Sequence, residues 1–216
     1  MSEVEQFNFS LTVPARLLHP NLLEAKSFMG PNGKANGEPK FSARFLLSAD
    51  HPDLKAIKDM VVACARAKWP TRALSELAFP IESGIIAADK RKAKGKEDGE
   101  FMRSGVLLTA RSKFQPRLAG IENGRIVEYE TDVAKAAARS KFYFGVDALA
   151  LFSFSSHEVG SNKPGVNAYL NMVLTTGKGE RIAGGKSAAE VFKGYQGSYS
   201  AEDPTGGLDV EDDLPF

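Results

Sequence analysis

The chain has 216 residues, 43% of them apolar and 25% charged, enough to bury one ordinary core and too apolar for a disordered or fibrous protein. Its single cysteine, Cys64, excludes an intramolecular disulfide framework and a multi-cysteine zinc site. The formal net charge of +1 conceals a division: Ala201–Phe216 holds six acids and no base, which leaves residues 1–200 with 28 Lys and Arg against 21 acids, a net +7, and a basic body of this kind favours a polyanionic partner.

In chain order, Phe7 to Val13 alternates apolar and polar residues, the period of a half-buried strand. A loop rich in Gly, Pro and Asn follows at Met29 to Gly37. Lys40 to Leu47 alternates again, with Phe41, Ala43, Phe45 and Leu47 on one side and Lys40, Ser42 and Arg44 on the other. Asp50 is placed to cap a helix that tolerates Pro52 in its first turn and repeats Leu54, Ile57, Val61, Cys64 and Lys68 near the helical period up to Trp69-Pro70. Cys64 falls on the apolar face of that helix, as a buried packing residue.

Lys90 to Lys96 has five bases in seven residues and reads as a flexible basic loop. Strands are predicted at Gly105 to Phe114, around Ile126 to Tyr129, at Lys141 to Ser155 and at Val166 to Thr175, with a short Ala-rich helix near Asp132 to Arg139. Ser187-Ala188-Ala189-Glu190 has the form of a capping box, and the helical turn it opens stops at Gly194. Residues 1–200 thus form a mainly β domain, an OB-fold-like five-stranded barrel elaborated with long loops and two or three short helices. Periodicity alone leaves a β-sandwich open. Residues 201–216 are expected to be a disordered acidic tail, with Pro204, Gly206 and Gly207 and few apolar residues.

Catalytic chemistry is hard to find. The dense acidic cluster needed for metal-dependent nuclease or polymerase work occurs only in the tail, where it cannot be preorganised. His19, His51 and His157 are far apart and read as surface or loop residues, and His157-Glu158 lacks the second His of a zinc-protease motif. Gly185-Lys186-Ser187 imitates the end of a phosphate-binding loop, but Glu180 stands where the leading Gly is required. No nucleophile and base pair stands out. No enzyme, metal or cofactor is expected. The longest apolar stretches, such as Val146 to Phe154, fall short of the roughly 20 residues that span a bilayer, and Met1 to Glu5 lacks a cationic leader. These features predict a cytoplasmic protein with no membrane partner.

A sequence-tolerant binder of single strands needs a basic groove lined by rings. The residues that fit are Lys40 and Arg44 on the second alternating strand, Lys90, Arg91, Lys92 and Lys94 in the basic loop, then Phe101, Arg103, Arg111, Lys113 and Phe114, and finally Lys141 and Tyr143. On a strand through Lys141–Phe144, alternation sends Tyr143 and Lys141 to the face opposite Phe142 and Phe144. Phe142, Phe144, Phe152 and Phe154 are assigned to the interior, and Tyr143, whose hydroxyl tolerates water, to the ligand face.

The ending Asp212-Asp213-Leu214-Pro215-Phe216 closes a solvated acidic run with apolar residues, so it reads as a docking peptide: ring and α-carboxylate for a pocket beside a cation, acids for a basic rim. It resembles the tips of bacterial and phage single-stranded DNA-binding proteins, which recruit replication and repair proteins. The body resembles a family of phage single-stranded DNA-binding proteins with an OB-fold core. The likeness lies in Leu17-Leu18-His19-Pro20-Asn21-Leu22-Leu23-Glu24-Ala25-Lys26, the Phe101 to Phe114 region, Asn162-Lys163-Pro164-Gly165-Val166 and Gly184-Gly185-Lys186-Ser187-Ala188-Ala189-Glu190-Val191-Phe192. It spans nearly all of Phe7 to Gly194 and departs from the family pattern in the Ala-rich insertion at Thr131 to Ser140. The resemblance implies coating of single-stranded DNA during phage replication or recombination, in the host cytoplasm. An RNA-binding or strand-annealing recombination mediator and an inactive nuclease subunit are the alternatives, and a homo-oligomer is compatible with either.

Overall fold

The computed structural model describes residues 7–29, 35–95, 99–158 and 163–182. Its strands are β1 (Phe7–Ser10), β2 (Ala15–Met29), β3 (Ala35–Ser48), β4 (Ile81–Ser83), β5 (Gly105–Ser112), β6 (Arg117–Glu122), β7 (Arg125–Glu128), β8 (Asp147–His157) and β9 (Gly165–Thr175). The helices are α1 (Leu54–Lys68), α2 (Gly84–Lys92) and α3 (Asp132–Ala137), with 3-10 turns at Leu74–Glu76, Glu100–Met102 and Ala138–Lys141.

Five strands close on themselves in the order β2-β3-β5-β9-β8 and back to β2. Every pairing in this ring is antiparallel except β5 with β9. A closed barrel leaves no unpaired edge, and this one has OB-fold topology. β1 extends it beside β8, and β6 continues along the end of β9 with β7 outside it.

Alternation dictates what fills the barrel. Ala43, Phe45 and Leu47 of β3, Leu108 and Ala110 of β5, and Ala148, Ala150, Phe152 and Phe154 of β8 all point inward and are buried. Phe45 meets Phe152 edge-on at 5.2 Å. Ile57, Val61 and Cys64, on one stripe of α1, join the same cluster, so the expected packing of that helix on the sheet and the burial of Cys64 both hold. A smaller cluster forms outside the barrel, where Leu18 and Leu107 meet Ala87 of α2 and Met102.

Several local expectations are corrected. Asp50 does not cap α1; Asp53 occupies the cap position, and its carboxylate accepts instead from the Thr12 N–H at 2.7 Å and hydroxyl at 2.6 Å. Lys90, Arg91 and Lys92 are not in a flexible loop but in the last turn of α2, where cations complement the helix's negative end. The strand expected from Lys141 starts only at Asp147. Before it lies a turn whose Gly145 has φ 103° and packs so tightly that a Cβ would stand 2.2 Å from the Glu180 carbonyl oxygen, a backbone suited to glycine alone. β2 and β6 were not foreseen, and Phe114 falls beyond the end of β5. His51 lies in the loop before α1, as expected of a surface or loop residue, but is buried there, its Nδ1 accepting from the Asp53 N–H at 3.2 Å. The capping box at Ser187 and the acidic tail lie outside the described residues.

Candidate nucleic-acid interface

The outward faces of β3 and β5 divide into two parts. Leu46 pairs with Leu107 in register, and both are covered by the α2 cluster. One step further along, Arg44 stands opposite Thr109 and Ser42 opposite Arg111, and none of the four belongs to that cluster. Arg44, Thr109 and Arg111 floor a groove of about 840 Å³. One wall is Phe79, Ile81, Glu82 and Ile86, from β4, its approach and α2; Lys113 and Phe114 follow β5, and Asn167 and Tyr169 come from β9. His157 and Lys163 bring in the ends of β8 and β9.

The groove is strongly positive. Lys40, Arg44, Arg111, Lys113 and Lys163 line it against one acid, Glu82. Lys113 is paired with Glu38 at 2.6 Å, and the hydrogen bond raises its pKa. Glu82 is paired with Lys90. Arg44 is half-buried, and burial pushes its pKa down; Glu82 opposes this, while the like charges of Arg111 and Arg91 add to it. A desolvated guanidinium crowded by two others gains from an arriving anion, and its planar fork suits a phosphate. Phe114 is 83% exposed and Tyr169 39%, so two rings face the same space as these cations.

Of the sequence-expected contacts, Lys40, Arg44, Arg111, Lys113 and Phe114 are brought together here, with Lys90 and Arg91 at the α2 border. Lys92 and Lys94 are exposed at the end of α2 and beyond it, away from the groove lining. Phe101 packs against the smaller cluster, edge-on to Phe144 at 5.9 Å. Arg103 is held by Asp89 at 2.6 Å and Glu100 at 2.7 Å. Lys141, at the end of a 3-10 turn, is engaged by Glu122 and by the Tyr129 hydroxyl at 3.2 Å. Tyr143 does not lie on a strand. Its half-buried ring packs on the main core, its hydroxyl donates to the Gly179 carbonyl at 2.7 Å and the Arg181 guanidinium sits 4.7 Å from its centroid. Phe142, Phe152 and Phe154 are buried as expected, and Phe144 joins the smaller cluster.

Sequence reasoning overlooked Tyr169, Phe79 and Lys163. Tyr169 was within reach of it, because inward Val166, Ala168 and Leu170 on a predicted strand leave Asn167 and Tyr169 outward. Phe79 and Lys163 meet only through folding: Ala78 and Pro164 are joined by an N–H to carbonyl bond of 2.8 Å, and Val166 returns one of 2.9 Å to Ala78.

Residues 10–204 match the family described as Enterobacter phage Enc34, ssDNA-binding protein. The chain belongs to this family. Among solved structures, the single-stranded DNA-binding protein of bacteriophage Enc34 matches at 19% identity, covering 84% of this chain and 86% of that one, with a TM-score of 0.58. The same phage protein in complex with ssDNA matches at 20% identity, covering 82% and 88%, with a TM-score of 0.60. No curated protein sequence matches significantly. The Enc34 likeness carries the barrel, and the family match extends beyond it to residue 204, past the described residues. Among the described residues no helix is long and apolar enough to cross a membrane, and no group of three or more His, Cys, Asp or Glu is placed to hold a metal.

Proposed function

We propose that this member of the Enc34 phage family coats single-stranded DNA, with little sequence preference, through the groove over β3, β5 and β9. The observation that carries this reading is the meeting of Arg44 and Arg111, which form no ion pair among the described residues, with the exposed rings of Phe114 and Tyr169. Cations track the backbone, and rings take bases of any identity because every base has a π-face. The lip formed by β4 and α2 makes the site a concave slot rather than a flat sheet, which suits a single strand with splayed bases. The protein acts without catalysis, in replication or recombination inside the host cell.

The acidic terminus supplies a second part of the proposal. Asp212, Asp213, Leu214, Pro215 and Phe216 serve as a docking peptide for replication or recombination proteins, and the tail's six acids compete with DNA at high effective concentration. Fluorescence titration with single-stranded DNA, RNA and duplex of one sequence, using the full chain and a chain ending at Ser200, tests both parts. Single-stranded DNA should bind tightest, and truncation should tighten binding at low salt. Equal affinity for duplex would refute the groove assignment, and unchanged affinity after truncation would refute competition by the tail.

A further inference from the structure

Beside the groove, on the neighbouring strand, the backbone leaves regular pairing in a way that turns Leu22 into the main core and leaves His19 exposed outside it. Leu18 of β2 pairs with Arg44, and Asn21 pairs with Ser42. Three steps on β2 therefore oppose two on β3, and the extra residue makes a bulge at His19-Pro20. His19 has φ 47°, an uncommon and strained conformation for a residue with a Cβ. Bulges re-aim side chains, and this one lays the exposed imidazole on Phe144, with centroids 4.6 Å apart and planes 24° from parallel. Phe144 is braced in turn by Phe101, and the Arg91 guanidinium lies 3.5 Å from Nε2. The polar surface runs on from the groove floor to this point, since Asn21 donates to the Ser42 hydroxyl at 3.3 Å, and Arg91 is near enough for its charge to act on Arg44.

We propose that His19, backed by Phe144 and flanked by Arg91, is a second base-stacking platform, taking a nucleobase where the strand leaves the groove across β3 towards β2. This rests on the single-stranded DNA reading and extends it, lengthening the footprint beyond Phe114 and Tyr169 and giving the strand a direction over the barrel. A ring held flat and pre-stacked loses little freedom when a base arrives.

A length series of oligothymidylates, titrated against the full chain, tests it. His19→Ala should leave affinity for the shortest binding oligonucleotide unchanged and weaken that for longer ones by about five-fold or more, the low end of one lost stack. His19→Phe should restore the loss. His19→Trp should show fluorescence quenched by long oligonucleotides and not by the shortest, which serves even if the alanine variant melts early. Wild-type affinity of His19→Ala at every length, or equal losses at every length in both the alanine and phenylalanine variants, would overturn the platform. Absence of any single-strand binding by the wild type would instead defeat the groove assignment itself.

Discussion

On the groove face Lys40, Arg44 and Arg111 form no ion pair among the described residues, whereas on the flank built by β6, β7 and α3 the cations Arg117, Lys135, Arg139 and Lys141 are held by Glu128, Asp132, Glu24 and Glu122. The rings divide the same way. Phe114 is 83% exposed, while on the flank Tyr129 and Phe142 are each 6% exposed and meet edge-on. A count of cations alone does not separate the two faces, yet only one offers cations that need not release a carboxylate before meeting a phosphate. Net charge therefore selects the class of ligand, and local pairing selects the face.

The sharpest way to break this contrast is to remove the rings. Phe114→Ala with Tyr169→Ala should cost about 2–6 kcal/mol of single-strand affinity if each ring takes one base, with little change in melting temperature because both side chains are exposed. A binding curve superimposable on wild type would move the interface elsewhere. Next in size is Gly84→Ala, which strikes the lip: its Cβ would stand 1.7 Å from the Met102 carbonyl oxygen and 2.6 Å from that of Gly105. Displacing α2 should lower stability by about 1–3 kcal/mol and weaken DNA binding as well, and an unchanged melt would show that α2 shifts without strain. Smaller again is the salt response. Arg111→Gln should flatten the slope of log affinity against log salt by about 0.7 if one phosphate contact is lost, and Arg117→Gln, on the paired flank, should leave it alone.

What was legible in the sequence was what repeats. The alternation of Lys40 to Leu47 fixed both the inward Phe45 and the outward Arg44, and the stripe through Ile57, Val61 and Cys64 placed α1. What escaped depends on long-range packing or on broken periodicity. β2 carries several register shifts, so no period of two survives along it. The basic run at Lys90 has the composition of a solvated loop, yet its first three residues finish a helix anchored by Ala87. Arg103 meets Asp89 only through folding, and the Phe142–Phe144 rings lie outside a strand because Gly145 turns the chain. Asn123-Gly124 was a readable signal that went unused, since that dipeptide is the strongest short-range mark of a hairpin and it joins β6 to β7.

Lys141 gives the finest test, because the sequence placed it among the DNA contacts and the structure surrounds it with Glu122 and Tyr129. The hydrogen bond from Lys141, and after it that from Tyr129, holds the Glu122 carboxyl below its ordinary value of 4.5. A carboxylate depressed in the folded state stabilises fully above its ordinary pKa and loses that contribution as pH falls through the lowered one. Lys141→Gln removes the larger cause, so it should lower the melting temperature near pH 7, and the gap from wild type should close as the pH drops below 4.5. Affinity for single-stranded DNA at neutral pH should not change, since a phosphate at this position would have to displace Glu122. If Lys141→Gln instead weakened binding and flattened the salt slope as Arg111→Gln should, the flank would belong to the DNA path, and ion pairing would not be what separates the two faces.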